Sequence, residues 1–337
     1  MITLKDIAAE CHVSVSTVSR ALNETDLISP EVTETIRAAA ERMGYRPNAI
    51  ARSLKLNRTG MIGILHDEAM DHPFFSGMLD AIRLSAEKRG YDIMLLSRKQ
   101  RNSTADSSDT ALSRRVDGII VVYADVREDG LDRLMRNQIP VVSVDDCSRP
   151  CPIVASDYEN GTRLLTQEAL RRSHRRIAFI HGESGISTDR RIAGFRAAMA
   201  SAGLQGELIP SHFYAGEDCA SLILNRLRQA DAPSCFLLPD DTTALTVLSI
   251  LQRSGLKVPQ DVAVAGFDGQ RWVCALAPRL STYRQDLHGI GEAALDTLLA
   301  TRAKGVVRSR SEIIIPGQLI PGETLCQKAL PSCSRPA

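Results

Sequence analysis

Several things are missing from this 337-residue chain. It has no excess of charge: 41 Lys and Arg against 40 Asp and Glu leave a net of +1, which argues against a general binder of polyanions. It is poor in aromatics, at 4%, beside 44% hydrophobic and 24% charged residues. That balance is globular and excludes a disordered or collagen-like chain. No apolar run approaches the roughly 20 residues that a spanning helix needs, so no membrane is expected. The start, MITLKDIAAECHVS, has neither the basic opening nor the long apolar stretch of a secretory signal. Eight cysteines at 11, 147, 151, 219, 235, 274, 326 and 333 form no CxxC pair. They read as reduced cytoplasmic thiols and not as a disulfide framework or a zinc site. No GxGxxG follows a strand-like run, and HGESG (181–185) is too sparse for a phosphate loop. Nucleophile elbows and histidine–carboxylate clusters at metal spacing are also missing, so neither a metal nor a cofactor is expected.

What is present begins with helices. At about 150 residues per domain the length predicts two or three domains. Thr3 and Asp6 have capping-box spacing and open a first helix that turns Ile7, Ala8 and Cys11 inward. After a break at His12-Val13, Ser14 is placed to cap a second helix through Val15, Val18 and Leu22 to Asn23. Ser29-Pro30-Glu31 supplies an N-cap, a proline at the first helical position and an acid against the dipole. The third helix runs to Met43, with Gly44 as its stop. Two short helices joined by a tight turn, with a third supporting them, suggest helix-turn-helix.

The second helix separates its faces. Val18, Ala21 and Leu22 fall on one side and pack inward, leaving Val15, Ser16, Ser19 and Arg20 largely outside. A recognition helix meets base edges with its N-terminal residues, which makes Val15 and Ser16 reading candidates. Arg20 can donate two hydrogen bonds to a guanine. Ser14, Thr17 and Asn23 carry short donors suited to phosphates. A small helical bundle with solvated hydroxyls fits the same pattern. The following stretch, 43–60, holds Arg46, Arg52, Lys55 and Arg58 and no acid, a local +4. Within it Asn48–Lys55 is long enough for two helical turns, too few to persist alone. It reads either as a segment that folds on binding or as a basic tether.

From Met61 onward strand-like runs alternate with helical ones. MIGIL (61–65), a helix from Ser76 to Arg89, YDIMLL (91–96), a helical stretch near 105–115, GIIVV (118–122) and PVVSV (140–144) form a first group. RIAFI (176–180), SCFLL (234–238) and VAVAGF (262–267) form a second, each with a helix. Continuous apolar strands of this kind suit buried parallel sheets covered on both faces. Ligand chemistry in such folds gathers at strand C-termini.

TLKDIAAECHVSVSTVSRALN, followed by ISPEVTETIRAAAERMGYRPNAIARSL, closely resembles the lactose/galactose-repressor (LacI/GalR) family of bacterial transcription factors. DHPFFSGMLDAI (71–82), VDGIIV (116–121), RRIAGFRAAM (190–199), LPDDTTAL (238–245), DVAVAGFD (261–268) and APRLSTYRQD (277–286) extend the resemblance over nearly the whole chain. The resemblance implies an all-α helix-turn-helix DNA-binding head (1–46), a hinge helix and linker (47–60), an α/β effector-binding and dimerisation domain (61–330) and a tail (331–337). The effector domain is expected to be periplasmic-binding-protein-like, type I, with two doubly wound parallel-sheet subdomains. They are expected at 61–154 with 283–316 and at 155–282 with 317–330. Val15, Ser16 and Arg20 become the implied base readers. Thr3, Ser14, Thr17, Ser19, Asn23, Ser29 and Tyr45 become backbone contacts. The hinge places Asn48, Ala51, Leu54 and Lys55 in the minor groove, with Ala51 at the close approach and Leu54 as the wedge.

Within the effector domain, Asp268 ends the strand VAVAGF, and a carboxylate there can accept two sugar hydroxyls. Arg191 offers a fork of donors early in the helix after RIAFI. A charged donor facing a charged acceptor suits a polyol. Asp240 is a second acceptor, Ser187 a hydroxyl partner, Phe74 and Phe75 a flat surface for a ring, and His72 and Asp145 weaker choices. Capping, surface pairing or core packing are the structural alternatives for these residues. The chain departs from the family at Cys11-His12 in the turn, at Glu217-Asp218, at Ser173-His174 and at Pro321. A more acidic cleft favours a neutral polyol. The function expected is a sequence-specific transcriptional regulator, a repressor, acting as a homodimer on a near-palindromic operator and controlled by a small effector. The ending CQKALPSCSRPA has no leucine heptads, which favours a dimer over a tetramer. The competing reading is a cytoplasmic enzyme acting on a sugar or nucleoside, with His181 as its one histidine at an obvious strand end.

Overall fold

The computed structural model describes residues 2–22, 28–45, 58–66, 73–97, 116–122, 133–145, 151–212, 215–275, 277–304 and 311–325. The chain divides into two compact units, Met1–Thr59 and Gly60–Ala337.

In the first unit, α1 (Leu4–Glu10), α2 (Val15–Leu22) and α3 (Pro30–Arg42) enclose a core of Ile7, Ala8, Val18, Ala21, Ile36 and Ala40. The Asp6 carboxylate accepts from both the backbone N–H and the hydroxyl of Thr3, each at 2.8 Å, and fixes the start of α1. His12 takes φ +51 in the turn, a conformation that histidine tolerates better than branched residues do. Ser14 Oγ accepts from the Thr17 N–H at 3.1 Å and caps α2. At the end of α3, Gly44 adopts φ +68 and the Tyr45 N–H returns to the Ala40 carbonyl at 2.9 Å. This is the stop that the glycine predicts.

The second unit contains two separate parallel sheets. β1 (Met61–His66), β2 (Asp92–Ser97), β3 (Gly118–Val122), β4 (Val141–Val144), β5 (Ile153–Ser156) and β11 (Glu312–Ile315) order as β11-β5-β4-β3-β1-β2. β6 (Ile177–His181), β7 (Glu207–Pro210), β8 (Cys235–Leu237) and β9 (Ala263–Ala265) order as β7-β6-β8-β9. β10 (Thr282–Arg284) and β12 (Gln318–Ile320) pair antiparallel with each other. The six-stranded sheet therefore collects strands from two distant parts of the chain, and it takes Ala155 and Ser156 in addition to the residues up to 154.

Both faces of the larger sheet are covered. Along β1, Ile62 and Ile64 pack with α4 (Pro73–Lys88) and α9 (Leu287–Lys304), whereas Leu65 joins the opposite core with Ile119 and Val121. That alternation is what the continuous apolar strands require. In the smaller half, α5 (Tyr158–Arg171), α6 (Ile186–Ser201), α7 (Gly216–Leu227) and α8 (Asp241–Arg253) flank the sheet. α5 and α6 approach closely at Gly194, where a Cβ would stand 2.0 Å from the Glu159 carbonyl oxygen.

The structure differs from the sequence expectation at several edges. α4 starts at Pro73 and not at Ser76, because proline suits the first helical position. The strand in VAVAGF narrows to Ala263–Ala265. β5, β7, β10 and β11 are short or weakly apolar and were not expected. The helical stretch near 105–115 lies outside the described residues.

Candidate functional site

On α2 the core-facing and outward residues separate cleanly. Val18 and Ala21 are buried, while Val15, Ser16 and Arg20 are exposed on the opposite side. Val15 is the unusual one, a β-branched apolar side chain left 41% exposed at the start of a helix. Such a residue can meet a thymine methyl in the major groove. Ser14 sits at the helix N-terminus, its hydroxyl bonded to those of Ser16 (2.6 Å) and Thr17 (2.8 Å). Helix N-termini with short hydroxyls favour phosphate oxygens. Thr3 and Ser29 are exposed at the starts of α1 and α3, Ser19 is half-buried on α2, and Tyr45 is half-buried against the head core. Asn23, Asn48, Ala51, Leu54 and Lys55 lie outside the described residues, as does His72 in the larger unit.

In the second unit, the ends of the strands of the smaller sheet gather a cluster. α6 delivers Arg191, which is buried. Its Nη1 donates to the Pro239 carbonyl at 2.5 Å, just beyond β8. Its guanidinium carbon lies 4.0 Å from the centre of the Phe267 ring and 4.7 Å from that of Tyr158. A planar cation over two neighbouring rings is a geometry that lysine cannot reproduce. Phe267 leads directly into Asp268, which has φ +114 and is buried. Gln285 Nε2 donates to the Asp268 carboxylate at 2.8 Å and leaves the buried Gln285 Oε1 without a donor among the described residues. Burial, and then the Asp241 charge, push the Asp268 carboxyl well above its ordinary range, while Arg191 pulls the other way.

Asp240 has a capping role beside the one expected of it. Its two carboxylate oxygens accept from the Thr243 N–H and hydroxyl, both at 2.7 Å, so it serves as the N-cap of α8. Its neighbour Asp241, not singled out from the sequence, holds the loop that carries Asp268. One oxygen of Asp241 accepts from the Thr282 hydroxyl at 2.6 Å and the other from the Gln270 N–H at 2.9 Å. Burial raises its pKa to about 7.

Phe74 and Phe75 need a correction. They are 3% and 0% exposed within the core of the larger sheet, and Phe75 packs 4.8 Å from the His66 ring. They fill space under β1 and present no open platform, because α4 starts early enough to turn both inward. Asp145 is buried at the end of β4 with φ +76, and Ser187 is half-buried on the first turn of α6. Arg191 and Asp268 are thus brought into one cluster with Tyr158, Phe267 and Gln285. Gln285 had a signal in the APRLSTYRQD motif and Asp241 in LPDDTTAL; Tyr158 had none beyond apolar context.

His181 Nδ1 faces the Gly182 carbonyl at 2.9 Å, and its ring stands 6.1 Å from Phe179. Among the described residues no group of three His, Cys, Asp or Glu side chains is placed to hold a metal ion.

Comparison with known proteins decides between the two readings. Residues 3–48 match the lacI family of bacterial regulatory proteins, and residues 166–325 match the periplasmic binding protein-like domain. The HTH-type transcriptional repressor PurR of Vibrio parahaemolyticus is 32% identical over 334 residues, covering 94% of this chain and 98% of that protein. The chain belongs to the LacI family. The ribose operon repressor of Escherichia coli is 31% identical over 312 residues, 89% of this chain and 92% of that protein. The lac repressor dimer bound to operator and the anti-inducer ONPF superposes with a TM-score of 0.81 at 24% identity, covering 96% and 99% of the two chains. A LacI-family regulator from Enterococcus faecium with bound ribose gives 0.69 at 21% identity, covering 80% and 100%. These two likenesses show the fold alone. This LacI-family protein is a DNA-binding transcriptional regulator and not an enzyme. No helix among the described residues is long and apolar enough to cross a membrane.

Proposed function

We propose that this LacI-family regulator is a cytoplasmic repressor that binds a near-palindromic operator as a homodimer and answers to a small neutral polyol, a sugar or sugar derivative. Val15, Ser16 and Arg20 read bases. Thr3, Ser14, Thr17, Ser19, Asn23, Ser29 and Tyr45 hold the backbone, and Asn48, Ala51, Leu54 and Lys55 engage the minor groove. The observation that carries the ligand reading is the gathering of buried Arg191, Asp268 and Gln285 at the strand ends. A guanidinium donor in the same cluster as two acceptors suits vicinal hydroxyls, which both donate and accept. A phosphorylated ligand would meet Asp268 at a cost. Asp145 and Ser187 complete the polar lining. The halves that would move about the ligand are 61–154 with 283–316 and 155–282 with 317–330. A relative named as a ribose operon repressor is consistent with this class.

The test is a selection from random duplexes with the full-length protein, alone and with pentoses, disaccharides and purine bases. The expected product is a two-fold site of about 14–20 base pairs, with half-sites about one helical turn apart, whose recovery changes with one of the sugars. A response to purine bases alone would overturn the polyol reading. Failure to recover any two-fold site would overturn the dimer on a near-palindrome.

A further inference from the structure

The motif VDGIIV has a role at the other end of the effector domain, away from the ligand cluster. Gly60, the first residue of the second unit, is held from both sides. Its N–H donates to Asp117 Oδ2 at 2.9 Å, and its carbonyl accepts from the Asp92 N–H at 2.8 Å. Gly60 itself takes φ +74, a left-handed conformation natural to glycine. Asp117 is pinned in turn: its backbone N–H donates to the Met61 carbonyl at 2.8 Å, and its carboxylate receives Arg302 Nη1 at 3.0 Å. Its side chain is only 4% exposed, so the ion pair is shielded from bulk water.

Arg302 comes from the last turn of α9 and also reaches the Tyr91 hydroxyl, at 3.4 Å. α9 is seated on the sheet next to this point. A Cβ at Gly118 would stand 2.9 Å from Leu298, so the glycine after Asp117 lets the helix lie directly on β3. The three residues Val116, Asp117 and Gly118 thus serve the core, the clamp and the helix seat. α9 also starts two residues after Gln285, the partner of Asp268. Eighteen helical residues at 1.5 Å each make a rod of about 27 Å with the ligand cluster near one end and the clamp at the other.

We infer that Asp117, seated by Arg302, is the positioning residue through which the effector domain holds the end of the DNA-binding linker at Gly60. The part played by α9 in carrying a ligand signal rests on the ligand reading above; the hold on Gly60 does not. A carboxylate here supplies one charge-assisted bond to the linker exit and one to the rod. Movement of α9 along its axis therefore displaces Gly60 directly.

The experiment uses full-length Asp117→Ala, Arg302→Gln, the double variant and Asp117→Glu, with the duplex recovered by wild-type selection as the probe and no ligand present. Asp296→Ala, which breaks the separate α9 pair with Arg89, is the control. Operator affinity is expected to fall about tenfold or more for either single variant, and the double variant to be no worse than the weaker single. Asp117→Glu should recover part of the loss, and the control should match wild type. Hydrogen exchange of the peptide spanning 58–66 should quicken in Asp117→Ala, with the folded fraction at the assay temperature unchanged. Unaltered operator affinity in both single variants would overturn the clamp. So would a loss explained entirely by the unfolded fraction, or an additive double variant.

Discussion

Replacing Gly194 by alanine puts the packing around Arg191 to a direct test. Taken alone, the substitution favours the helix by about 1 kcal/mol. The new methyl would stand 2.0 Å from the Glu159 carbonyl oxygen, a backbone atom that no rotamer change can move. Restoring an ordinary contact requires α5 and α6 to part by about 1.4 Å. Overpacking of this kind costs about 1–3 kcal/mol. Tyr158, on the first turn of α5, lies 4.7 Å from the Arg191 guanidinium, so the same displacement takes it to the limit of about 6 Å for a cation over a ring. The lost stacking adds about 0.5–2 kcal/mol. The net expectation is destabilisation of about 0.5–4 kcal/mol, read as a lower urea midpoint with an unchanged slope and a lower melting point. Ligand affinity should fall further than stability, because Arg191 loses one of its two faces. A variant as stable as wild type, with unaltered ligand response, would refute the argument that Gly194 sets the helix spacing that seats Arg191.

Arg20→Ala should cost about 1–3 kcal/mol of operator affinity and relax one base position in a repeated selection, whereas a uniform loss would make Arg20 a phosphate contact. Arg191→Lys keeps the charge but loses the planar stack and the bond to Pro239; it should lower stability by about 1–3 kcal/mol and abolish the ligand-induced thermal shift. Asp241 has its pKa raised from 3.8 to about 7 by burial. Between those values the folded chain keeps a proton that the unfolded chain has released, so stability falls as pH rises through the window, by at most about 4 kcal/mol. Urea midpoints of wild type and Asp241→Asn from pH 4 to 8 should converge at low pH and diverge upward in favour of the variant, less the lost bond from Gln270; parallel curves would show that Asp241 stays ionised throughout.

The head was legible because its signals are local. Pro30, Gly44 and the Ser14 hydroxyl act on backbone atoms within a few residues, and the spacing of Val18 and Ala21 needs only the helical period. Strands with strong apolar runs, such as GIIVV, were legible for the same reason. The buried cluster at the strand ends was legible in Arg191 and Asp268, through their places after strands, and not in what surrounds them. Whether Asp240 faces a cleft or caps α8 depends on where Thr243 turns, and that is decided by three-dimensional closure of the helix start. Phe75 reads equally as platform or core until α4 is known to begin at Pro73. Asp241 and Tyr158 matter only because Thr282, Gln270 and Phe267 arrive from far along the chain. Non-local partners leave no periodic trace in a single sequence.

The crossing of the chain between the two halves sets an order of events in time. β5 is complete at Ser156, but its outer neighbour β11 begins only at Glu312, about 155 residues later. At ribosomal rates of about 5–20 residues per second that is a wait of roughly 8–30 s. Throughout it β5 offers an open edge, and β3 and β4 lack the apolar cover of α9. Bare strand edges invite pairing with other chains. The first half is thus the earlier to be made and the later to be finished, and a chain cut short before residue 312 is an aggregation hazard instead of a smaller working domain.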